Sequence, residues 1–211
     1  MPLSKIVKIN DKLGWALWRI DSDWKTMLST HDLNPSFLRS LSKISHPKKK
    51  AEHLASRLAL SALLENFTLK NKIVEKDGFG KPYLTDESAY ISLANSYPYA
   101  VAILSIDVPV GIDIEAPSKK LLRVQHKFLH EAEQQLFKND EHKICLAWCA
   151  KESLYKLYGR KKLSFKQHIC VSDISFPNCK SFTGSIHYAS YSSDHILQVE
   201  KIEPFYIVFS M

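Results

Sequence analysis

The string Val110-Gly111-Ile112-Asp113-Ile114-Glu115 restricts the fold more than any other part of the chain. Isoleucines at 112 and 114 alternate with acids at 113 and 115, and a period of two belongs to a strand. Asp113 and Glu115 therefore share one face, roughly 6–7 Å apart along the backbone. Ile112 and Ile114 point the other way, toward an expected core. Two arrangements suit such a strand. It is either an edge strand showing acids to water, or the wall of a cleft in which a cation offsets their repulsion. Gly111 leaves the backbone bare just before the acids, which on this reading lets a bulky ligand approach.

A second stretch bears on the choice. Lys143 to Tyr158 has helical periodicity, with Ala147, Ala150, Leu154, Leu157 and Tyr158 on one side. Glu152 and Lys156, one turn apart, fall on the opposite side next to each other. That pair is either an ordinary surface ion pair or part of a lined cleft. Trp148 and Tyr155 flank it and leave only a narrow charged stripe, which favours the cleft. Lys151 lies nearer the core side, where its stem can run along apolar surface. Three carboxylates and two lysines among apolar residues are costly to bury uncompensated. Mg²⁺ suits them, because it takes few protein carboxylates and completes its shell with water and phosphate oxygens.

The rest of the pattern supplies the frame. Gly14 to Ile20 reads as a strand, and Ala51 to Phe67 as a helix with Arg57 within its apolar arc. Asp77 to Pro82 is a turn-rich loop. Ala100 to Leu104 reads as a central strand, Leu121 to Phe137 as one helix, and the segments around Ile186, Leu197 and Tyr206 to Phe209 as closing strands. The order is strand, helix, strands, then strand, helices, strands. It predicts an α+β fold of two halves, 1–106 and 107–211, with the second carrying the acids. A cleft between halves is a common place for a ligand.

Composition matters where it limits partners. The 211 residues carry a formal charge of +7, which attracts anions without choosing among them. Lys48-Lys49-Lys50 is either a solvated helix entry or an anion contact. Cys145, Cys149, Cys170 and Cys179 form no paired motif, as expected of reduced thiols in a cytoplasmic protein. His126 and His130, four apart on the expected helix, lack a third metal ligand nearby. No apolar run is long enough to span a bilayer, and Met1 to Asp21 shows no secretory signal.

Taken together, Gly111 to Glu115, Lys127-Phe128-Leu129-His130-Glu131-Ala132-Glu133 and Trp148 to Lys156 resemble the phosphopantetheinyl transferases, in particular the larger surfactin-synthetase-activating type. Gly80-Lys81-Pro82-Tyr83-Leu84 resembles that family's Gly-Lys-Pro loop, and the likeness spans roughly residues 50 to 175. The resemblance implies two pseudo-twofold-related α+β halves in one chain, with coenzyme A at their interface. It implies Mg²⁺-dependent transfer of the 4'-phosphopantetheine arm of coenzyme A to a serine of an acyl or peptidyl carrier protein, releasing 3',5'-ADP. Asp113, Glu115 and Glu152 would hold the metal. Glu152 would be the base, Lys156 would offset phosphate charge, and Asp113 would complete the catalytic set. Arg57, Gly80, Lys81, Pro82, Asn95, Ser96, Asp113 and Lys151 would contact coenzyme A. For Arg57 a buried pairing with an acid fits the sequence equally well. One departure stands out. Ser92-Leu93-Ala94-Asn95-Ser96 has Asn95 where the family usually has a histidine near the 3'-phosphate. Asparagine donates hydrogen bonds but carries no charge.

These implications describe a cytoplasmic monomer with neither nucleic acid nor membrane as partner. The competing reading is a non-catalytic basic module for nucleic acid or an acidic protein, which explains the charge but not acids on two elements. A metal-dependent nuclease would place a lysine two residues after the second acid, where Pro117 stands.

Overall fold

A computed structural model describes residues 3–31, 33–70 and 72–211. The chain is α+β and forms two compact units, Met1–Val108 and Pro109–Met211.

The first unit opens with the hairpin β1 (Leu3–Asn10) and β2 (Leu13–Arg19), then α1 (Trp24–Ser29), α2 (Pro35–Ser42) and the long α3 (Pro47–Asn66). A small hairpin of β3 (Val74–Lys76) and β4 (Pro82–Leu84) precedes β5 (Tyr90–Ser96) and β6 (Tyr99–Ser105). The main sheet is antiparallel in the order β1-β2-β6-β5. Its inner strands are almost wholly apolar, and α3 covers one face with Leu54, Leu58 and Ala59 among its buried residues. Local chemistry sets the helix starts: Asp23 and Asn34 accept backbone N–H groups as N-caps, and Pro35 and Pro47 occupy first-turn positions.

The second unit begins with β7 (Gly111–Glu115), followed by α4 (Lys119–Val124), a 3₁₀ turn at Gln125–Lys127, α5 (Glu131–Phe137) and α6 (Glu141–Tyr158). Then come α7 (Phe165–His168), β8 (Ile169–Val171), β9 (Ser181–Tyr188), β10 (Tyr191–Ile202) and β11 (Phe205–Ser210). The strands form one antiparallel sheet, β7-β11-β10-β9-β8, with α6 packed on it. α6 starts where the Asp140 carboxylate accepts the His142 and Lys143 N–H groups, and ends at Gly159 in the left-handed region.

The single helix expected over 121–137 is three pieces. Phe128 and Leu129 are both buried, which turns the chain inward after the 3₁₀ segment. The helix restarts because His130 and Glu133 form a capping box. His126 and His130 therefore do not stack on one helix face. Among the described residues, no helix is long and apolar enough to cross a membrane.

Candidate active site

β7 is an edge strand of its sheet, yet its acids do not face open water. β11 is its partner, with Asp113 opposite Val208 and Glu115 opposite Tyr206. Asp113 is buried and Glu115 half-buried. The face they share is the one α6 covers, so α6 meets the acids directly. Ile112 and Ile114 are buried on the opposite face.

Gly111 explains how the helix gets so close. A Cβ there would lie 1.9 Å from the Ser153 carbonyl oxygen and 2.9 Å from the Leu157 nitrogen, so only glycine fits. The bare backbone admits α6 rather than the ligand expected from sequence. Ser153 fastens the contact: its hydroxyl donates to the Gly111 carbonyl at 2.9 Å and lies 2.8 Å from the Ser210 hydroxyl. Gly111 and Ser153 thus set the distance between the acidic strand and the charged helix. Neither role is legible from residue type.

This closeness makes one charged cluster. The Lys156 ammonium donates to Asp113 Oδ1 at 2.7 Å and to the Ile112 carbonyl at 3.1 Å. Lys156 thus reaches the sheet edge instead of pointing away from it, as the helical wheel suggested. Among the described residues, Asp113 Oδ2 is buried with no hydrogen-bond partner. Burial raises the Asp113 carboxyl, outweighing the pull of Lys156. For Lys156, burial works against the charge, but Asp113 and Glu152 overcome it and hold the ammonium charged. Burial and then the Asp113 carboxylate push Glu152 up to about 7; Lys156 opposes this and Glu115 adds to it. Asp113, Glu115 and Glu152 therefore lie within electrostatic reach of one another.

The donor chemistry suits a hard cation: three carboxylates, an orphaned buried carboxylate oxygen, and a glutamate pushed up first by burial and then by its acidic neighbours. Among the described residues, however, no three His, Cys, Asp or Glu side chains converge on one point. The cation Asp113 holds in this structure is the Lys156 ammonium.

Lys151 sits one residue from Glu152 and does something different. It is fully buried, and its ammonium donates to Glu133 Oε2 at 2.7 Å and to the carbonyls of Phe165 and Ile169 at 2.9 and 2.6 Å. These acceptors match the three donors of an ammonium. Glu133 is equally engaged: it accepts the His130 N–H at 2.7 Å and the Val171 N–H at 2.9 Å. The pair ties α5, α6 and β8 together. Trp148 and Tyr155 both pack against Phe165 on this flank. The sequence marked Lys151 as a cofactor contact and gave Glu133 no role; the structure makes the two one buried knot.

The residues expected at the nucleotide lie in the first unit. Asp77 organises the Gly-Lys-Pro turn: its Oδ1 accepts the Phe79 and Lys81 N–H groups at 2.8 and 2.9 Å, and its carbonyl accepts that of Gly80. Gly80 has φ +92°, which other residues rarely adopt. Pro82 opens β4 opposite Lys76. Burial lowers the Lys81 ammonium, with Asp77 opposing. Asn95 is exposed and Ser96 half-buried at the end of β5, next to the turn into β6. In the basic run, Lys48 lies over the Tyr97 ring at 4.3 Å, Lys49 pairs with Glu52 at 2.6 Å, and Lys50 lies over Trp24 at 4.4 Å. Arg57 lines a cavity whose described lining includes none of Gly80, Lys81, Pro82, Asn95 or Ser96. Among the described residues it forms no ion pair with an acid, the alternative that the sequence allowed.

A search among curated proteins finds no match to this chain. A family model does match, and it begins where the second unit begins. Residues 109–207, from the acidic strand through α6 to the closing strands, match the 4'-phosphopantetheinyl transferase superfamily.

Proposed function

We propose that the protein transfers 4'-phosphopantetheine from coenzyme A to a serine of an acyl or peptidyl carrier protein, with Mg²⁺, releasing 3',5'-ADP. The superfamily match supports phosphopantetheinyl transfer in general. The observation that carries the finer reading is the cluster of Asp113, Glu152 and Lys156, with Asp113 Oδ2 buried and unpartnered. A structural ion pair gains nothing from a spare buried carboxylate oxygen, whereas a ligand for a cation needs one.

In this reading Asp113, Glu115 and Glu152 would hold Mg²⁺ once drawn together around it, and the ion would supply neutralisation of pyrophosphate charge. Glu152 takes the proton from the carrier serine, a task suited to a carboxylate near 7. The serine oxygen bonds to the β-phosphorus as the bond to the departing 3',5'-ADP breaks. Lys156 keeps its charge through this step and offsets the negative charge on the leaving phosphate. Arg57, Gly80, Lys81, Pro82, Asn95 and Ser96 are proposed contacts for coenzyme A in the first unit. Lys151, with all its donors taken, serves by fixing α6 and hence Glu152. This revises the direct cofactor role suggested by the sequence.

Calorimetric titration with coenzyme A tests the reading. Binding is expected with Mg²⁺, with a large loss in EDTA and in Asp113→Ala. Equal binding in all three conditions would refute the metal-centred assignment and favour a plain basic binding module.

A further inference from the structure

Glu152 lies on α6 between two aromatic residues. Trp148 is one turn before it and Tyr155 one turn after it, so both border the same stripe of the helix. All three are half-buried. One ring from outside the helix serves both neighbours. Phe165 of α7 packs on Trp148 at 5.5 Å between ring centroids, with the planes 40° apart, and on Tyr155 at 5.3 Å and 48°. Buried Phe128 meets the Trp148 indole edge-on, 4.9 Å away and at 68°. Aromatic pairs attract one another at these separations.

α7 is a single turn, yet it is held in place. The Ser164 N–H donates to His168 Nδ1 at 2.9 Å, and the Ser164 hydroxyl accepts the Gln167 N–H at 3.3 Å. The His168 ring packs on Tyr188 at 4.7 Å. Phe165 also does two separable things. Its backbone carbonyl accepts the Lys151 ammonium at 2.9 Å and so belongs to the buried knot, while its ring belongs to the flank of Glu152. A change of side chain leaves the carbonyl in place and removes only the ring.

The knot fixes the path of α6 but not the direction of a glutamate on its surface. A glutamate has several rotatable bonds and loses much rotamer freedom when it is ordered. Packed neighbours on both sides restrict that freedom before a substrate arrives, and a proton acceptor needs such alignment. We propose that Phe165 is a positioning residue, whose ring clamps Trp148 and Tyr155 so that these two hold the Glu152 carboxylate toward the carrier serine. The proposal rests on the transfer reaction proposed above and adds the device that aims its base.

Phe165→Ala, Phe165→Leu and Phe165→Tyr test it, each assayed well below its melting point. Fluorine NMR of 5-fluorotryptophan-labelled protein supplies a readout that needs neither metal nor substrate, with the Trp148 line assigned through Trp148→Phe. Phe165→Ala is expected to lower kcat by about tenfold to a hundredfold and to leave KM for coenzyme A within about twofold. Phe165→Leu, which keeps apolar bulk without a ring, should lose at least about threefold in kcat, and Phe165→Tyr should return to within about twofold of the wild type. The Trp148 line should move in Phe165→Ala, while those of Trp15, Trp18 and Trp24 stay. A ring that served stability alone would lower the melting point and leave the kcat of the folded protein unchanged. An unchanged kcat in Phe165→Ala, a tyrosine variant as slow as the alanine one, or an unmoved Trp148 line would overturn the proposal. A wild type that transfers to no carrier overturns the transfer reading and this proposal with it, whereas a working wild type matched by Phe165→Ala overturns the clamp alone. Should Phe165→Ala fail to fold, Phe165→Leu and Phe165→Tyr decide by the same two readouts.

Discussion

Gly111→Ala adds one methyl group where β7 and α6 almost touch. The new Cβ would sit 1.9 Å from the Ser153 carbonyl oxygen and 2.8 Å from its carbon, both backbone atoms that cannot rotate away. Even a weak C–H···O contact needs about 3.3 Å, so strand and helix must part by more than about 1 Å. That movement breaks the 2.9 Å bond from Ser153 to the Gly111 carbonyl and stretches the 2.7 Å pair between Lys156 and Asp113. Overpacking of this kind costs about 1–3 kcal/mol, and a lost buried hydrogen bond about another 1–2 kcal/mol. A total of about 2–5 kcal/mol corresponds to a melting point lowered by about 4–20 °C for a chain of this size. Displacement of catalytic groups by about 1 Å should also reduce phosphopantetheine transfer on the order of a hundredfold. Gly78→Ala is the control: nothing lies within 4 Å of its added Cβ, and its melting point should stay at the wild-type value. Scanning calorimetry with a transfer assay decides. A Gly111→Ala protein that melts and reacts like the Gly78→Ala control would refute the close-approach argument.

Four further outcomes are expected. Lys151→Met strands the Glu133 carboxylate in the core and should cost about 3–5 kcal/mol. In urea unfolding the double variant Lys151→Met/Glu133→Gln should recover part of that loss, and simple additivity would show that the two do not interact. Glu152 has a folded value of about 7 against an ordinary 4.5, so the native state binds more protons than the unfolded one between those pH values. Stability should fall as pH rises through that window, by at most about 1.4 kcal/mol per pH unit. Glu152→Gln should flatten this slope, stabilise the metal-free protein at pH 8 and abolish transfer; an unchanged slope would contradict the cluster's electrostatics. His53, packed on Phe37, is lowered to about 4, first by burial and then by Arg57 and Lys76. The unfolded state then binds more protons between about 6.5 and 4, so stability should drop on acidification through that range, and the drop should shrink in His53→Gln. Asn95→His should tighten coenzyme A binding through an added charge near the phosphate, and calorimetry showing no change would remove Asn95 from the proposed contacts.

The sequence disclosed the elements whose periodicity is strong and missed what depends on partners far along the chain. β7 and α6 are legible because a period of two and a period near four are unambiguous there. β1 is not, because it alternates weakly and lies exposed at a sheet edge, with Lys5, Lys8 and Asn10 along it. The apolar pattern from Leu121 to Phe137 runs on through a break that only the burial of Phe128 and Leu129 reveals. At the site, the residue types announced acids and lysines, but not their division of labour. Lys151 and Lys156 look alike in sequence. One is sealed by carbonyls 14 and 18 residues away, and the other reaches a strand more than forty residues earlier. Arg57 reads in sequence as a phosphate ligand or half of an ion pair, and the fold buries its Nε and Nη1 atoms without a hydrogen-bond partner among the described residues, in a cavity it shares with Phe37 and Leu60.

The most direct test of the account is intact-mass measurement of apo carrier proteins incubated with the protein, coenzyme A and Mg²⁺. The account predicts that a carrier gains one phosphopantetheine arm on its serine with the wild type, and gains none in EDTA or with Asp113→Asn or Glu152→Gln. Full modification by either variant, or in EDTA, would contradict the role given to the buried acids. Failure of the wild type to modify any fatty-acid, polyketide or peptide-synthetase carrier would contradict the proposed transfer itself.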